Sequence, residues 1–170
     1  ILTSNLQTTG SRTTSPTSTT AAPTVVLASP TAIFARAANH DDELAVVTMP
    51  WAIAICGNSS TRITISVNGV LGQGITTGYA PSTLPQYSQL SPAGYAVLPF
   101  WADLYITANT SQNVLYQIDG ASPSRTVTFE YYTSYYNQAN QYYHFQILFY
   151  ENRASSFTYR YYNITDSGIN

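Results

Sequence analysis

The sequence predicts an all-β protein: a two-sheet antiparallel β-sandwich, jelly-roll-like, behind an extended N-terminal tail rich in Ser, Thr and Pro. Three observations predict it. The run STRITISVNG alternates strictly, with Ile63, Ile65 and Val67 on one face and Arg62, Thr64 and Ser66 on the other, and it ends in Asn68-Gly69, a strong hairpin signal. The runs TVTFEYYTSYY (126–136) and QYYHFQILFYE (141–151) flank the polar loop Asn137 to Asn140 as a long aromatic hairpin. No stretch carries a 3.6-residue apolar period, so the chain reads as strands throughout.

Taken in order, residues 1–34 form the tail and 35–170 the sandwich domain. From Thr8 to Thr24 the tail has hardly an apolar group, the composition of an O-glycosylated stalk or extended linker; Thr13, Thr14, Ser15, Thr17, Ser18, Thr19 and Thr20 are the O-glycosylation candidates. Such a segment cannot repay its ordering entropy alone, so order requires a surface to lie on: a neighbouring subunit, its own domain, or both. Ile1, Leu2 and Leu6 at one end, and Val25, Val26 and Leu27 at the other, are apolar anchors suited to adding a donor strand to a sheet edge. At about 3.3 Å per residue the tail spans on the order of 100 Å, against a domain radius of gyration of roughly 15 Å.

In the domain, an acidic loop from His40 to Glu43 precedes an apolar strand pair interrupted at Met49-Pro50-Trp51. Residues 75 to 93 are a turn-rich connection. The stretch GYAVLPFWADLYI (94–106) is apolar on both sides of Pro99, as expected where a strand bends or passes between sheets. Residues 113–118 give a short strand, the aromatic hairpin follows, and FTYRYYNI supplies the last strand, with Phe157, Tyr159 and Tyr161 on one face. Eight to ten strands are expected.

Composition narrows the function. Charged residues are 8% of the chain, against roughly 25% in ordinary soluble domains. The six basic residues are all arginine and are scattered, and net charge is −2. No basic stripe exists for nucleic acid or anionic lipid, and no apolar run is long enough for a helical membrane span. Cys56 is the single cysteine, so no intramolecular disulfide forms, and its setting AIAICGN reads as a buried strand end. The chain starts at Ile1 without methionine or signal peptide; if the protein is secreted, a processed or trimmed form is the expectation.

Catalysis is not expected, nor is a metal or cofactor. Asp41, Asp42 and Glu43 are adjacent and lack the alternating oxygen spacing of a calcium loop; a solvated turn is the expectation. Asp103 reads as an acid that fixes a turn. Glu130 and Glu151 read as sheet-margin partners of Arg125 or Arg153 rather than as a glycosidase pair about 5–10 Å apart. His144 sits inside an alternating strand, and neither a Gly-x-Ser-x-Gly elbow, a phosphate loop nor a Cys/His cluster is present.

Three segments together, TMPWAIAICGNSSTRITISVNGVLGQG, YAVLPFWADLYI and VLYQIDGASPSRTVTFEYY…YYHFQILFYE, carry a resemblance. They resemble a β-sandwich module of secreted and surface proteins of fungi and bacteria, NIDO-like in style, over roughly residues 38 to 165. Trp51 stands where the family often has Phe, and Ala102 where a second acid is common; the latter weakens any metal or catalytic pair at Asp103. The resemblance implies a sandwich at the cell surface or in a matrix, and no one enzymatic activity.

Asn58, Asn109 and Asn163 each open an N-x-S/T sequon at an expected strand end or turn. With the tail and the scarcity of charge, they point to an extracellular or cell-surface glycoprotein. The leading functional expectation is a structural protein that polymerises with copies of itself, the tail of one subunit docking on the next subunit's sandwich and the repeat making a filament. The alternative is a carbohydrate-binding or adhesive module on a glycosylated stalk, recognising cell-surface or matrix carbohydrate by stacking sugars on outward tyrosines, among them Tyr132, Tyr136 and Tyr142.

Overall fold

A computed structural model describes residues 24–76 and 90–165, without the side chains of 90–93. Ten strands lie among them: β1 (Thr31–Ala32), β2 (Leu44–Ile55), β3 (Asn58–Ser66), β4 (Leu71–Ile75), β5 (Leu90–Val97), β6 (Leu104–Tyr105), β7 (Asn113–Asp119), β8 (Thr126–Tyr135), β9 (Gln138–Tyr150) and β10 (Phe157–Ile164). They form two antiparallel sheets. One is a meander in the order β2-β3-β4-β5; the other runs β1-β7-β8-β9-β10, with β6 pairing one end of β8. The fold is the expected sandwich. Pro50 falls in an edge strand at a break in the β2–β3 register, where a missing N–H costs no ladder bond.

Period-two alternation decides which side chains meet between the sheets. Ile63, Ile65 and Leu71 of the smaller sheet face Val127, Phe129, Tyr131, Phe145, Ile147 and Phe149 of the larger in one buried cluster. Tyr131 stacks on Phe145 at 4.7 Å, and its hydroxyl crosses the sandwich to donate to the carbonyls of Ser66 (3.1 Å) and Val70 (3.3 Å). Burial pushes that phenol far above its usual pKa, so it remains a neutral donor.

The 94–106 stretch changes sheets as its composition suggests: β5 ends in the smaller sheet at Val97, and β6 begins in the larger at Leu104. Asn68, at the β3–β4 turn, is fully buried and ties the crossing down. Its Oδ1 accepts Leu104 N at 2.6 Å, and its Nδ2 donates to Asp42 at 2.8 Å. Cys56 corrects an expectation. It is exposed, in the β2–β3 turn at φ +50°, because the strand ends one residue earlier at Ile55.

Candidate functional site

The outward face of the larger sheet is dry at its centre. Leu115, Glu130, Tyr132, His144, Gln146 and Leu148 point away from the sandwich interior, yet all are buried. Residues 24–29, just before β1, lie against this face and are held by their main chain. Glu130 Oε1 accepts Val26 N at 2.7 Å, Oε2 accepts Leu27 N at 2.9 Å, and Gln117 Oε1 accepts Ser29 N at 2.8 Å. Two successive amides converging on one anion form a nest. The same carboxylate lies 2.7 Å from His144 Nε2 and 3.0 Å from Gln146 Nε2. Behind these, Tyr162 donates to Gln146 Oε1 at 2.9 Å, with its ring 4.7 Å from that of His144.

Burial alone would raise the Glu130 pKa. The hydrogen bonds from His144, Val26, Gln146 and Leu27 outweigh it and hold the carboxyl below its usual value. Glu130 therefore corrects the sheet-margin expectation: it stands on β8, between β7 and β9, so strands flank it on both sides. Glu151 meets that expectation. Arg125 binds it through Nη2 (2.6 Å) and Nε (2.8 Å), which brings its carboxyl down to about 2.

The fold also gathers three acids. Oxygens of Asp41, Asp42 and Asp103 lie within 4.8 Å of one another, because the His40–Ile106 bridge brings the acidic loop beside the sheet crossing. Burial first, and repulsion by Asp42 second, raise the carboxyls of Asp41 and Asp103 above their ordinary value. The ionised forms thus work against folding. The related stability is complete below the unfolded value, about 3.9, and is lost as pH rises through the folded one. Asp103→Asn is expected to raise the melting temperature at pH 7, with the gain vanishing near pH 3. Solvent screening keeps it below about 1 kcal/mol. Melting curves across this range check it; an equal gain at both ends would contradict the assignment.

The family model described as NIDO related matches residues 7–169. The chain belongs to the NIDO-related family. No curated protein and no solved structure matches it. Membership suggests an extracellular, adhesion-type module, and no helix among the described residues is long and apolar enough to cross a membrane.

On this NIDO-related domain the remaining sequence-derived sites are scattered. Asn109 is exposed in a turn at φ +58°, while Asn58 opens β3 and Asn163 lies at the β10 register shift, both half-buried. Tyr136 is exposed and Tyr142 half-buried. Tyr132 faces outward as expected but is only 2% exposed, packed on Tyr142 and His144, so it presents no sugar-stacking face. Val25 and Leu27 are half-buried and Val26 is 51% exposed; the main chain of Val26 and Leu27 docks on the chain's own sheet face, one of the surfaces the sequence left open, though on a face rather than an edge. Ile1, Leu2, Leu6 and all seven O-glycosylation candidates lie outside the described residues. Sequence reasoning missed the grouping of Glu130, His144 and Gln146. Its one signal was Glu130 in one strand, and His144 and Gln146 two residues apart in the next, within strands rich in aromatic and aliphatic residues.

Proposed function

We propose that this NIDO-related domain is a non-enzymatic subunit of an extracellular head-to-tail homopolymer, in which the N-terminal segment of one copy docks on the sandwich of the next. The observation that carries the reading is the Glu130 nest. It grips residues 26 and 27 through backbone N–H groups, and the Val26 side chain stays largely in solvent. The same segment from another copy makes the same bonds, so exchange between copies gains and loses equal contacts. A tethered segment has an effective concentration of order millimolar, so exchange becomes favourable when subunits are crowded. Glycans on the Ser/Thr-rich tail and on the exposed Asn109 turn would shield such a fibre.

Two variants test this in the full chain. Val26→Pro removes the donor and keeps the nest; Glu130→Gln removes the anion and keeps the donor. Electron microscopy and mass photometry should show filaments for the parent protein and monomers for each variant alone. An equimolar mixture should give dimers, because one intact nest and one intact segment remain. Intact mass of the parent sample reads its glycans. Monomers in every sample would show that the segment serves only its own domain and would end the polymer reading.

A further inference from the structure

A pocket of about 210 Å³ opens between β6 and the tip of the β8–β9 hairpin, lined by Tyr105, Thr107, Ser134, Tyr135, Asn137 and Gln138, with Ala139 at its rim. Local backbone irregularity makes it. The β8–β9 register shifts after Ser134, so Tyr135 pairs with Gln138 while Ser134 pairs with Tyr142, and Asn137 turns at φ +56°. Such bulges re-aim side chains. The floor is fixed: buried Ser134 donates to the Tyr105 carbonyl (3.3 Å), Gln112 Oε1 accepts Thr107 N (2.9 Å), and the Asp103 carbonyl accepts Tyr136 N (2.9 Å). Tyr136, 39% exposed, stands edge-on to Tyr105 with ring centroids 5.6 Å apart.

The rim offers unused polar groups. Among the described residues, the hydroxyl of Tyr105 and the side-chain amides of Asn137 and Gln138 have no hydrogen-bond partner. No lining residue is charged, so an anionic or cationic ligand would find no counter-charge. Each amide offers an acceptor oxygen and two donor hydrogens, a match for adjacent hydroxyls that both give and accept. The electron-rich face of Tyr105 suits the slightly positive C–H groups of a sugar ring, while Tyr135 packs on Tyr143 and the core beneath the pocket. At about 30 Å³ per water the volume equals about seven waters, room for one pyranose. We infer that this pocket is a binding site for a neutral hexopyranose, an assignment independent of the polymer reading.

The test is a ¹H–¹⁵N NMR titration of the unglycosylated full chain with the methyl glycosides of glucose, galactose and mannose. At least one should shift amides at 104–107 and 134–139 with a dissociation constant on the order of millimolar. Asn137→Gly keeps the positive φ and removes one amide; Gln138→Ala removes the other. Together they should weaken binding at least about tenfold, ~1.4 kcal/mol, with melting temperature confirming the fold. Tyr105→Phe, which deletes only a hydroxyl, gives a second reading if the double variant does not fold. The same amides shifting on comparison with glycosylated protein would also support the site and identify a protein-borne glycan as the sugar. No shift with any of the three glycosides, or shifts unchanged in the variants, would overturn it.

Discussion

Glu130→Gln is expected to release residues 24–29 from the sheet and to lower stability by about 2–4 kcal/mol. The substituted amide has the shape of the carboxylate but half its acceptors. It cannot satisfy Val26 N, Leu27 N, His144 and Gln146 together, which all now meet one anion. At least one donor is left buried without a partner. Hydrogen exchange reads the effect locally: amides 26 and 27 should lose their protection, while those of β3 keep theirs. Acid should do the same to the parent protein. Because the folded carboxyl titrates below its unfolded value, about 4.3, its contribution is present above that pH and is lost as pH falls through the lowered value. His144 on β9, Tyr132 on β8 and Tyr162 on β10 are the other titratable groups packed round it. Protection of amides 26 and 27 that persists in the variant would show that the nest does not hold the segment.

The second large effect is at Gly69. This residue has φ +76°, and an added Cβ would stand 1.7 Å from the Phe100 carbonyl oxygen and 2.8 Å from its carbon, both main-chain atoms. The left-handed backbone costs a non-glycine residue about 1–2 kcal/mol, and displacing packed neighbours adds about 1–3. Gly69→Ala should therefore destabilise the domain by roughly 2–5 kcal/mol and disturb the crossing between sheets. Gly57 provides the control. Its φ is +84°, yet nothing lies within 4 Å of its added Cβ. Gly57→Ala should cost only the backbone part, about 1–2 kcal/mol. Urea unfolding of both variants measures the difference; equal losses would mean that the approach of Phe100 yields without cost.

How far the sequence reaches depends on the range of the interaction that matters. The alternation of Ile63, Ile65 and Val67, the Asn-Gly turn and the two aromatic strands are local patterns. Each implies a strand, a face and a reversal within about ten residues, and they lie where that pattern put them, except that β9 already begins at Gln138, inside the polar loop expected from Asn137 to Asn140. The passage of 94–106 between sheets was legible for the same reason, since a run apolar on both sides of a proline has no solvent face to keep.

The candidate site is different in kind. Alternation placed Glu130, Tyr132, His144 and Gln146 on the outward face, and outward ordinarily means wet. Whether that face stays wet depends on what covers it, and here part of the cover is a segment more than a hundred residues away in the chain. The same holds for Asp103, brought beside Asp41 and Asp42 by the bridge between His40 and Ile106 and by Asn68, which binds both Asp42 and Leu104. Periodicity determined the sandwich and which side chains point inward, because that depends on neighbours two residues apart. Tertiary structure alone decided which outward side chains are buried, which carboxylates share a partner and where a pocket opens, because desolvation and charge act between residues that only the folded chain makes neighbours.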